Sequence, residues 1–216
     1  MYEFVTGPLA WISFLIFFVG MTVKAVSIFR LAKQKDKVVF NHFDAGWSFK
    51  SIVYWLIPFG SRSMREKPVL TAFSFTFHIC LLATPIFLLA HNLLWDERWG
   101  FNWWSFSESV TDTMTIIFMV AATGLIIRRI TQPEVRIITT AYDYLLLLIA
   151  VAPFVTGFLA YHQWGPYKTM LIIHILCGEI MLIAIPLTKL SHMFLFFMTR
   201  AHIGSEMGQR RGAATW

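Results

Sequence analysis

Residues 174–192 read HILCGEIMLIAIPLTKLSH. The run is apolar enough to lie in a bilayer, yet it opens and closes on histidine and holds Glu179 near its middle. Eighteen residues make five whole turns at 100° each, so on one ideal helix His174 and His192 share a face, about 27 Å apart along the axis. Polar side chains are costly inside a membrane, which makes each of these histidines a functional candidate by default.

The rest of the chain fits a membrane setting. Of 216 residues 57% are hydrophobic and only 14% are charged, against about a quarter charged in soluble domains. A transmembrane helix needs about 20 apolar residues, and five segments are long enough: about 9–29, 69–95, 110–127, 141–161 and 170–199. The whole chain, 1–216, is expected to be one all-α integral-membrane domain, a five-transmembrane-helix bundle. The first run has no basic residue before it and no small-residue cleavage pattern after it, so it reads as a retained helix. Aromatics beside lysines at about 47–60 predict an amphipathic helix lying in the interface.

Basic residues set the expected orientation. Residues 30–68 carry eight lysines and arginines, 128–139 three and the tail from Lys189 four, whereas the alternate loops carry only Arg98 and Lys168. The positive-inside rule then puts the N-terminus outside and the C-terminus in the cytoplasm of a bacterial inner membrane. The net charge of +6 is a topology signal, and nucleic acid is not an expected partner. Cys80 and Cys177 both fall in apolar helix and read as free thiols. No Cys-x-x-Cys-His sequence supports covalent haem attachment.

The second span carries His78 and His91. It runs opposite to the fifth, so His78 matches the depth of His192 and His91 that of His174. Two histidines facing each other across a flat macrocycle are how a helix bundle holds a b-type haem. The expectation is therefore two b-type haems, an inner one on His78 and His192 and an outer one on His91 and His174. On an ideal helix the interval from His78 to His91 leaves them about 140° apart in azimuth, a twist that Pro85 or a local π-bulge has to correct.

The ending of residues 174–192, Pro-x-Thr-Lys-Leu-x-His, resembles the last helix of the gamma subunit of respiratory nitrate reductase, a five-helix di-haem cytochrome b. FHICLLATPIFLLAHNLLW, residues 77–95, departs from that branch, whose interval is shorter. It looks more like the cytochrome b subunits of sulfate-reducer complexes: the high-molecular-weight cytochrome c complex, its type II relative, and the sulfite-reductase-associated membrane complex. The resemblance implies an electron conduit for anaerobic sulfate respiration, not catalytic alone. Its implied partners are a periplasmic multihaem cytochrome c, a cytoplasmic iron–sulfur subunit resembling heterodisulfide reductase, other membrane subunits and the lipid bilayer. Menaquinone, oxidised or reduced through the same haems, is the alternative. A haem-free proton or metal transporter is a second.

Other groups are weighed beside these. Gly178, one turn after His174, would let a porphyrin approach the backbone, although glycine also serves helix packing. Arg128, Arg129, Lys189 and Arg200 lie at the depth of the inner haem's propionates, and Arg98 and Lys168 at that of the outer haem's, though all also suit snorkelling anchors. Glu179 reads first as a hydrogen bond to a neighbouring helix and second as a proton or quinone contact. His42, His162 and His202 read as solvated or interfacial, with His162 the best candidate for a quinone or partner. Trp95, Trp99, Trp103 and Trp104 fit an interfacial belt.

Overall fold

The computed structural model describes residues 1–211. Among them the ordered structure is entirely helical, with no strand. Five helices are long and apolar enough to cross a membrane: α1 (Tyr2–Lys35), α3 (Pro68–Phe87), α5 (Glu108–Thr131), α6 (Ala141–Tyr161) and α7 (Tyr167–Leu187). Between the first two lies α2 (Ala45–Leu56), α4 (Leu89–Trp99) follows α3, and α8 (His192–Arg211) closes the described chain. Large apolar side chains such as Leu15, Val120 and Leu148 point outward and are more than half exposed, as a lipid solvent requires. The chain is a multi-pass membrane protein.

Two spans end earlier than their composition predicts. The second run, expected over about 69–95, stops as a helix at Phe87; Leu88 is extended (φ −70°, ψ 127°) and α4 starts afresh. Pro85 sits two residues before this stop, so the expected kink is a full interruption. The fifth run, expected over about 170–199, stops at Leu187 just after Pro186; Thr188 is extended and Lys189–Ser191 forms a 3-10 turn before α8. His174 and His192 therefore do not lie on one continuous helix, and the five-turn spacing does not set their relation. The same holds for the 140° offset of His78 and His91.

The chain divides into two compact units, residues 1–68 with 175–211 and residues 69–174. In the second, α3, α5 and α6 meet through an aromatic stack: Phe77 on Phe118 (4.7 Å between ring centres) and Phe118 on Phe154 (3.9 Å). Ala121, Ala122 and Ala150 fill in around it, and Cys80 is buried beside them. Small residues let the helices close up. A Cβ at Gly124 would lie 2.7 Å from the Phe73 ring. A capping box between Thr140 and Asp143 starts α6.

In the first unit α8 packs on α2 over glycines 204 and 208, a spacing that allows backbones to approach closely. A Cβ at Gly204 would lie 2.5 Å from that of Ser51, and one at Gly208 would enter the Trp47 ring. Ser48 Oγ donates to the Ala201 carbonyl (2.8 Å), and Ser205 Oγ accepts from the Asp44 amide (2.8 Å). The amphipathic helix predicted over about 47–60 is thus α2, with one face on α8 and with Phe49 and Leu56 exposed.

Candidate functional site

At the end of α3 the last carbonyls have no helical partner. Three of them find one within the unit. His91 Nδ1 donates to Pro85 (2.9 Å), the Trp103 indole N–H to Ile86 (2.7 Å) and the Phe106 amide to Phe87 (3.0 Å). Asn92, buried next to His91, donates to the Trp103 carbonyl and to Ser105 Oγ. Trp103, expected in an interfacial belt, caps the interrupted span, and the loop after α4 is held against it.

His174, in the middle of α7, donates from Nδ1 to the Pro153 carbonyl of α6 (2.8 Å). Gly157, one turn beyond Pro153, makes room for the ring: a Cβ there would lie 3.0 Å from His174 Cε1 and 3.1 Å from Nδ1. So seated, the His91 and His174 rings lie nearly parallel, at 22°, with centres 6.1 Å apart. Both are half-buried.

A carbonyl can only accept, so each ring carries its proton on Nδ1 and its lone pair on Nε2. That is the tautomer a metal-ligating histidine takes when its second nitrogen is fixed by a backbone carbonyl. His78 and His192 share it, through Ser74 (2.7 Å) and Lys189 (2.9 Å). Both are exposed, His78 in the second unit next to Phe77 and His192 in the first at the start of α8.

The histidines expected to be solvated behave differently. His162 approaches Asp112 Oδ1 through Nε2 (2.9 Å), and His202 approaches Asp36 Oδ2 through Nε2 (3.2 Å). Tyr161 next to His162 donates to Glu108 (3.3 Å). Asp36, His202 and Glu206 bring their donor atoms within 4.8 Å of one another.

Glu179 is buried, 5% exposed, and neither carboxylate oxygen has a hydrogen-bond partner among the described residues. The bond to a neighbouring helix expected from the sequence is not made. A Cβ at Gly178 would meet nothing within 4 Å, so the space at that position is open. Arg200 lies over the Trp55 ring (3.8 Å), where burial lowers its pKa from the usual arginine value. Arg129 reaches Thr139 Oγ1 (3.4 Å), Arg128 is half-buried near the end of α5, and Lys189 is exposed in the turn before α8. Cys80 and Cys177 are free thiols.

Two site residues escape a reading based on histidines. Gly157 stands alone among bulky neighbours in VTGFLAY, and its lack of a side chain is the available signal. Lys24 lies within the first apolar run, where a cation is itself a signal. Its ammonium donates to the carbonyls of Pro186 and Thr188, at 3.1 Å each.

No family model matches the chain, and no solved structure matches it. A protein of Nitratidesulfovibrio vulgaris (strain Hildenborough) is 42% identical over 219 residues, an alignment that covers 100% of this chain and 97% of the relative. Spans, interruptions and tail all fall inside that alignment, and the chain belongs to the same family as this Nitratidesulfovibrio protein.

Proposed function

We propose that the chain is the di-haem cytochrome b subunit of a bacterial inner-membrane redox complex, of the sulfate-reducer type named above. It conducts electrons between a periplasmic multihaem cytochrome c and a cytoplasmic iron–sulfur subunit, with its N-terminus outside and its C-terminus inside. The observation that carries this reading is the His91 and His174 pair. An iron held between the two rings would take a bond of about 2 Å from each Nε2. The ring centres, 6.1 Å apart, leave room for one, and both lone pairs are on Nε2.

A b-type haem, when bound, supplies one-electron iron chemistry. The chain's own part is ligation, orientation and a low-dielectric surround. Pro85 and Pro153 carbonyls hold the two imidazoles in one tautomer, and Gly157 sets the depth of His174. His78 and His192 are assigned the inner haem on the sequence resemblance and on their shared tautomer, with Arg128, Lys189 and Arg200 the cations that the sequence offers its propionates.

The test is a dithionite-reduced minus oxidised spectrum of the purified chain, with pyridine haemochrome quantification. About two low-spin b-type haems per chain are expected. A colourless folded protein overturns the reading and leaves the proton or metal transporter. The menaquinone reading has its own support in the Asp112–His162 pair and in the buried, unpartnered Glu179. Haem reduction by a quinol analogue, blocked by a quinone-site inhibitor, selects it over direct conduction.

A further inference from the structure

α1 passes the interruption of the fifth span at Gly20 and Lys24, which one helical turn places on the same face. A Cβ at Gly20 would lie 2.8 Å from Pro186 Cβ and 3.0 Å from its Cγ, so the proline ring rests directly on the α1 backbone. One turn on, Lys24 Nζ is shared between the Pro186 and Thr188 carbonyls. These two groups stand at the end of an apolar helix, where water is scarce and an unbonded carbonyl is costly. A lysine that merely snorkelled would aim its ammonium at head groups. This one is aimed at backbone, and a cation at a helix C-terminus also meets the negative end of the helix dipole.

We infer that Lys24 is a positioning residue for His192: with Gly20 it clamps the Pro186–Thr188 interruption, and so fixes where α8 begins and what charge stands beside its first residue. The local turn shows how the clamp transmits. Thr188 Oγ1 accepts from the Leu190 amide (3.1 Å), and the Thr188 carbonyl held by Lys24 also accepts from Ser191 Oγ (2.8 Å). The Lys189 carbonyl, in the same turn, accepts from His192 Nδ1 (2.9 Å). Lys24 is thus joined to the His192 ring through these hydrogen bonds and the backbone of residues 188–192. The ammonium's charge would stabilise the electron-rich state of a redox centre at His192.

The inference rests on the haem reading for its redox consequence but not for its structural one, and the test separates them. Lys24→Met, Lys24→Arg and Gly20→Ala are made in the full chain in native-like membranes. Hydrogen exchange over residues 187–193 and haem-resolved redox titration are both read. Lys24→Met is expected to speed exchange at Leu190 and Ser191 at least tenfold and to shift only the inner haem's potential to more negative values. Lys24→Arg should restore most of both. Gly20→Ala should speed exchange while its retained cation leaves a smaller potential shift. If Lys24→Met does not fold, the exchange of Gly20→Ala against wild type decides the clamp. Unchanged exchange and potential in Lys24→Met, or equal loss of both haems, overturns the assignment. A wild-type chain without haem would defeat the functional reading instead, and the exchange comparison alone would then stand for or against the clamp.

Discussion

At Leu88 the carbonyls released by the end of α3 are taken up by neutral donors: an imidazole, an indole and a backbone amide. At Thr188 those released by the end of α7 are taken up by the ammonium of Lys24. Both interruptions lie within three residues of a proline and shortly before a histidine. In the first the histidine is itself one of the caps, so the ring that would bind metal is fixed by the same bond that closes the helix. In the second the histidine bonds inside the local turn, and the turn is held by a cation from another helix. Interrupting a helix is thus a way to aim an imidazole, and the donor that repairs the break sets the local charge.

The largest effects should separate the two histidine sets. His91→Ala and His174→Ala should each remove the same haem, leaving about one of two per chain by pyridine haemochrome. His78→Ala and His192→Ala should both remove the other. Two single losses that fail to coincide within a set would sink the pairing. Next in size, Gly157→Ala places a methyl about 3 Å from the His174 ring. Overpacking of this kind costs about 1–3 kcal/mol, so that haem should be lost faster to a soluble haem acceptor, while the other is retained as in wild type.

A smaller effect is expected at the neutral cap. Trp103→Phe removes the donor to Ile86, a loss of about 0.5–1.5 kcal/mol where water replaces it and about 1–3 kcal/mol where the carbonyl is left unsatisfied. Thermal unfolding should begin a few degrees earlier and should affect the His91 region first, as followed by site-resolved hydrogen exchange. Exchange at residues 88–92 equal to wild type would mean that the Phe106 and His91 bonds suffice. The smallest change is expected from Asp112→Asn, which loosens His162 at the C-terminal end of α6. Under direct conduction the spectra stay as they are and neither protein shows inhibitor-sensitive reduction by quinol. A several-fold loss of quinol-driven reduction, with haem content intact, would move the molecule to the quinone reading.

Much of this organisation is written in local chemistry. Apolar runs of span length are recognisable because a bilayer imposes a minimum length on any helix that crosses it, and all five recur among α1 to α7. The four candidate histidines stand out because polar groups in such runs are costly. The sequence by itself therefore determined the class, the number of spans, the amphipathic α2 and the residues to examine. Where each helix stops, and what each histidine touches, were decided by tertiary structure. Pro85 and Pro186 mark weak points but do not say whether a helix bends or ends, since that depends on donors from elsewhere: Trp103 and Phe106 from a loop, Lys24 from α1. Gly157 became a site residue only when α6 and α7 met. Glu179 lost its expected partner for the same reason, because a hydrogen bond across helices depends on which side chains packing brings within 3 Å, and no periodicity in one helix can supply that.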